Sequence, residues 1–124
     1  MKTHNNTKLK LLYLADIFRL ETDEDHALSV YDLIIKLSNF GITVSRQTLY
    51  EDVVLLKDYG LNINTNKHAN TILYYLVSRE FSIAELKLIV SAIQTSQFIS
   101  PSKSEELIHK LSSLTSNFQA KQLE

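Results

Sequence analysis

A chain of 124 residues with 44% apolar and 22% charged residues can build one compact core or two very small ones, and its apolar content lies below membrane levels. The absence of cysteine excludes disulfides and thiolate zinc sites, and a formal net charge of −1 supplies no general attraction to nucleic acid. Two Gly and one Pro among many Leu, Ile, Lys and Glu favour helices with short connections over an all-β architecture.

The opening MKTHNNTKLK lacks the unbroken apolar run of a signal peptide, and no uncharged apolar stretch reaches the roughly 18 residues of a membrane span. A cytoplasmic protein without a membrane partner is therefore expected. Residues 8–20, KLKLLYLADIFRL, place Leu9, Leu12, Tyr13, Ile17 and Leu20 on one helical face, with Leu11, Leu14 and Phe18 widening the stripe. Lys8 and Lys10, near the start of that helix, can either touch phosphate or remain solvated.

The acidic TDEDHALS follows. Asp23, Glu24, Asp25 and His26 are consecutive and lack the separated, converging positions of a cation site, so a solvated loop is expected. Ser29 and Asp32 have the spacing of a capping box, and a second helix with Leu33, Ile34 and Leu37 inward is expected to run to about Phe40.

Gly41 to Gly60, GITVSRQTLYEDVVLLKDYG, organises the chain. Ser45 can cap a helix, Leu49, Val53 and Leu56 recur on one side, and Gly60 stops it. Helix, tight turn and helix in this order is the arrangement that can place its second helix in a DNA groove. At 100° per residue, Gln47, Thr48 and Glu51 point away from the core, with Tyr50 on a flank. Arg46 in the first turn can meet a phosphate or a guanine edge, Gln47 can pair with adenine, and Thr48 can touch a thymine methyl.

Beyond Gly60, Leu61-Asn62-Ile63 and Thr71 to Leu76 read as two short strands around a turn-like Asn64–Asn70, making a wing with Lys67 and His68 at its tip. Those two can reach backbone phosphate or the minor groove. Of Tyr74 and Tyr75, one faces inward and the other outward. Ser82 and Glu85 form a capping box and Phe81 with Leu86 a hydrophobic staple, so a helix starts there and runs to about Gln97. A last helix has Pro101 in its first turn and Leu107, Ile108, Leu111, Leu114 and Phe118 as its apolar face, before a fraying tail, SNFQAKQLE.

The expected fold is mainly α with a small β-hairpin: a winged helix-turn-helix over residues 1–77, then a helical hairpin over 78–124 acting as linker or dimerisation segment. The wide stripes of the closing helices either fold back on the first domain or meet a second chain, and a homodimer through them suits two half-sites.

Three segments in order, TDEDHALS, SRQTLYEDVVLLKDYGLNI and YYLVSREFSIAELKLIVSAIQTSQFISPSKSEELIHKLSSL, resemble the N-terminal half of bacterial WYL-domain transcriptional regulators, from about Lys8 to Leu114. The resemblance implies a DNA-binding winged helix-turn-helix followed by a helical linker. Arg46, Thr48 and Tyr50 keep the family pattern, whereas Glu51 stands where the family usually has a basic residue. In the family a ligand-sensing WYL domain comes next, and the sequence here includes none, so effector binding is not carried over.

Two function classes compete. The first is a sequence-specific regulator that contacts double-stranded DNA through Ser45, Arg46, Gln47, Thr48, Tyr50, Glu51, Lys67 and His68. The second is a protein-interaction module on the same scaffold, favoured by Glu51 and by the acidic head: residues 1–60 carry seven Lys and Arg against nine Asp and Glu. No enzyme, metal or cofactor is expected, because His4, His26, His68 and His109 are scattered and no glycine-rich phosphate loop exists.

Overall fold

The computed structural model describes residues 6–77 and 80–124; His4 and Ser78, the first residue of the second expected domain, lie outside them. The chain divides into two compact units, Met1–Ser78 and Arg79–Glu124. The fold is mainly α with a small antiparallel sheet: a winged helix-turn-helix and then a helical hairpin.

In the first unit, α1 (Asn6–Glu21) inserts Leu14, Ile17 and Phe18 fully into the core. The expected face is therefore shifted. Leu11 and Tyr13 pack at the core edge, whereas Leu9 and Leu12 are exposed. Three charge or ring contacts fix the neighbours of this helix. Lys36 reaches Glu21 at 2.6 Å, Tyr13 stacks on Phe40 with centroids 4.5 Å apart, and Lys10 meets Asp52.

The segment after α1 is solvated at Glu24, Asp25 and His26, as its acidity suggests, but not at its start. Thr22 and Asp23 are buried, and the backbone pairs Asp23 with His26 in both directions. The Asp23 carboxylate accepts from the Asp25 amide at 2.9 Å and lies 2.8 Å from His26 Nδ1. A short acid that can bond its own following backbone closes a turn of this kind. Thr22 joins two elements, since its hydroxyl donates to the Phe18 carbonyl and accepts from the Leu76 amide.

A two-residue strand, β1 (Leu28–Ser29), comes next, and Ser29 doubles as the N-cap of α2 (Val30–Ser38). The capping box is complete: the Asp32 amide donates to the Ser29 hydroxyl and the Ser29 amide to the Asp32 carboxylate. α2 stops at Ser38, two residues short of Phe40. Gly41 then takes a φ of 80° in the left-handed region and the Ile42 amide closes onto the Leu37 carbonyl.

α3 (Arg46–Tyr59) begins at the Ser45 cap and ends at Gly60. Leu49, Val53 and Leu56 enter the core beside Leu33, Leu37, Ile42 and Val44, as the spacing requires. Gly60 holds a φ of 132°, with open space where a Cβ would stand, so its backbone angle is what calls for glycine.

The wing pairs β2 (Ile63–His68) with β3 (Thr71–Leu76), from Ile63 opposite Leu76 to His68 opposite Thr71. Asn64 to His68 are thus strand rather than turn, and only Ala69 and Asn70 connect the two. Outward exposure on β2 explains its polar sequence, because this edge strand gives the core Ile63 alone. β1 pairs with the other side of β3, giving the order β1-β3-β2. Leu76 is buried and Tyr74 packs at the core edge.

In the second unit, α4 (Ile83–Thr95) starts with the expected capping box of Ser82 and Glu85. α5 (Pro101–Ser112) starts with Pro101 behind a Ser100 cap. The closing residues do not fray. Ser116 caps α6 (Asn117–Ala120), and a 3₁₀ turn over Lys121–Leu123 brings Leu123 onto Leu86 and Val90, leaving it 3% exposed. Phe81, Ile83, Ile108 and Leu111 complete this core. The apolar face of α5 ends at Leu111, since Leu114 and Phe118 lie past the helix and are exposed.

Candidate functional site

Core burial of Leu49, Val53 and Leu56 turns the opposite ridge of α3 to solvent. Arg46, Gln47, Tyr50 and Glu51 are all exposed there, and Thr48 is half-buried. The eight residues selected from sequence fall into four groups.

Ser45 and Thr48 form a local cap. The Ser45 hydroxyl accepts from the Thr48 amide at 3.1 Å and donates to the Thr48 hydroxyl at 3.0 Å. Both hydroxyls are engaged in starting the helix, at its N-terminus.

Gln47 and Glu51 form a second group on the outer ridge. The Gln47 amide nitrogen donates to the Glu51 carboxylate at 3.3 Å across one turn. This fixes the amide with its oxygen free beside a carboxylate, so the pair presents mainly hydrogen-bond acceptors.

Arg46 and Tyr50 turn toward the wing. Arg46 donates to the Tyr50 hydroxyl at 3.2 Å, and its guanidinium carbon lies 5.2 Å from the ring centroid of Tyr31 on α2. The hydrogen bond that Arg46 donates to Tyr50, followed by the nearby Tyr31, holds the guanidinium above its ordinary range. All three side chains line a concavity of about 410 Å³ between the start of α2, the start of α3 and the wing, where Asn70, Thr71, Ile72 and Tyr74 close it. Burial, and then Tyr50, push the Tyr74 phenol upward from its usual value. No Asp or Glu lines this space among the described residues.

Lys67 and His68 are the last group, exposed on β2 opposite Ile72 and Thr71. They stand beside the wing turn and do not line the concavity. Of the α1 lysines, Lys8 is exposed, whereas Lys10 is committed to Asp52 and is not available to phosphate.

Tyr31 is the residue that the sequence did not single out. It occupies the second position of α2, outside the Leu33 and Leu37 face, and only the crossing of α2 and α3 brings it to Arg46. No group of His, Cys, Asp and Glu suited to a metal ion occurs among the described residues. No described helix is long and apolar enough to cross a membrane. Comparison with protein-family models, curated proteins and solved structures gave no match.

Proposed function

We propose that the chain is a sequence-specific DNA-binding transcriptional regulator, or the DNA-binding part of one, acting in the cytoplasm with α3 in the major groove and the wing along the backbone. The observation that carries this reading is the division of α3 into a ridge clamped in the core and an exposed ridge beginning at its N-terminus. A recognition helix needs that division, because rigidity comes from one side and base contact from the other. The resemblance to the N-terminal region of WYL-domain regulators points the same way.

On this reading Gln47 and Glu51 face the base edges. Their acceptors suit the amino groups of adenine and cytosine and repel the carbonyls of guanine and thymine. The wing brings Lys67 and His68 toward a neighbouring phosphate. A homodimer through the C-terminal unit would set two copies of α3 on two half-sites and double the otherwise small phosphate contact. No cofactor or catalytic step is part of the proposal.

One observation favours a second reading, a protein-interaction module. Val54, Leu55 and Tyr59 on α3 are exposed, Tyr59 at 86%, and so many apolar side chains on one helix suit a protein surface. The two readings separate on a duplex selected by the chain from a random-sequence pool. Gln47→Ala is expected to weaken such a site by about 1–3 kcal/mol and to relax the base preference at one position. Unchanged affinity and preference would remove α3 from the groove.

A further inference from the structure

We infer that the concavity between α2, α3 and the wing seats one phosphodiester of the DNA backbone, with Arg46 as its clamp and Tyr31 and Tyr50 as positioning residues. The inference rests on the DNA-binding reading and deepens it, because it removes Arg46 from base recognition.

The orientation of Arg46 is the first argument. An arginine that reads guanine must extend outward from the helix into the groove, with both ends of its fork free. Arg46 instead lies along α3 to Tyr50, one turn further on, and sideways to the ring of Tyr31. Tyr50 takes one of its five donors and the Tyr31 hydroxyl bears on the guanidinium more weakly, so donors remain for an anion. Two contacts from two helices also remove much of the rotamer freedom that binding would otherwise have to restrict.

Charge is the second argument. Residues 1–60 are acidic in sum, yet the lining of the concavity contains Arg46 and no carboxylate. Here the local potential opposes the balance of the whole unit, which is what an acidic protein needs in order to hold a phosphate. Ile72 and Tyr31, both about half exposed, offer apolar surface beside the cation. A phosphate with its deoxyribose has this combination of an anionic centre and an apolar flank, and a bare base edge does not.

The position of the space supplies the third. It opens between the first turn of α3 and the wing, so a strand crossing from the groove toward the wing passes over it. A phosphate contact there would fix the register in which Gln47 and Glu51 meet the bases.

The test uses the full chain and a fluorescent duplex recovered by the wild type from a random-sequence pool, with affinity measured over a range of salt. Arg46→Ala is expected to lower affinity about tenfold at low salt, to make the log-log salt slope shallower by about 0.9, and to recover the same sequences from the pool. Arg46→Lys keeps the charge and therefore the slope. Tyr31→Ala is expected to weaken binding several-fold and Tyr31→Phe to restore it, since the ring carries the contact. Circular dichroism melting checks that these exposed substitutions leave the fold intact.

A methylphosphonate walked along the backbone adds a structural readout. One position is expected to cost the wild type as much as Arg46→Ala does, and to cost that variant nothing further. If Arg46→Ala leaves the slope unchanged and alters the recovered sequence, the residue reads a base and the seat is wrong while DNA binding stands. Wild-type affinity in Tyr31→Ala would overturn the positioning role. Failure of the wild type to recover or bind any duplex would overturn the seat and the DNA-binding reading together.

Discussion

Lys10 on α1 places its ammonium 3.0 Å from the Asp52 carboxylate on α3, with the two side chains only 14% and 7% exposed. The carboxylate oxygen facing Lys10 has no well-angled hydrogen bond among the described residues. The pair thus joins the first helix to the back of the third by charge more than by directed bonding. Removing one partner strands the other charge in a nearly dry site, whereas removing both need not.

Asp52→Ala is therefore expected to destabilise the chain by about 2–4 kcal/mol, and the double variant Lys10→Met/Asp52→Leu by much less. Urea denaturation of the single and double variants checks this. Equal losses in both would mean that packing around the pair, and not its charge, is what matters.

Ala69 is the one non-glycine residue with a positive φ among the described residues, 56°, in the two-residue turn between His68 and Thr71. Left-handed backbone costs an L-residue with a Cβ about 1–2 kcal/mol, part of which glycine recovers at the expense of a freer unfolded chain. Ala69→Gly and Ala69→Asn should each raise stability by about 0.5–1 kcal/mol, seen as a higher urea midpoint at unchanged slope. A lower midpoint in both would show that Ala69 is held by contacts that outweigh its backbone strain.

Reversing the charge of Glu51 separates repulsion from recognition. Glu51→Arg should raise affinity for mixed-sequence DNA if the carboxylate mainly repels phosphate, and it should steepen the salt slope. Loss of affinity at the selected site, with mixed-sequence binding enhanced, is the expected pattern for a carboxylate that also accepts from a base amino group.

The helices were legible because their signals are local. Ser29 with Asp32, Ser45 and Ser82 with Glu85 cap where their spacing says, and Leu49, Val53 and Leu56 turn inward on a period that needs no knowledge of the partner. The misreadings concern residues whose state depends on distant chain. β1 is two residues long and carries no period, so its pairing with Tyr74 and Leu73 is invisible before β3 is placed. Thr22 and Asp23 look solvated by composition and are buried because Thr22 bonds to Leu76, 54 residues away. The tail looks frayed until Leu123 is seen to fill the gap over Leu86 and Val90.

The site shows the same limit. Sequence spacing selected Gln47, Thr48 and Glu51 as the outward face, with Tyr50 on a flank and Arg46 in the first turn; Thr48 is half-buried and the other four are exposed. It could not say that Arg46 and Tyr50 turn toward the wing while Gln47 and Glu51 pair along the outer ridge. The sideways contact of Arg46 is made with Tyr31, which belongs to another helix and has no helical register with α3.

The central claim is that the exposed ridge of α3 meets duplex DNA, and the salt dependence of binding tests it most directly. Titration of the full chain against the selected duplex at several salt concentrations should give a linear fall of log affinity with log salt, with a slope of about −0.9 for each phosphate neutralised. A chain that retains no affinity for any duplex even at low salt, or whose binding ignores salt, would contradict the account and leave the exposed Val54, Leu55 and Tyr59 as the surface to explain.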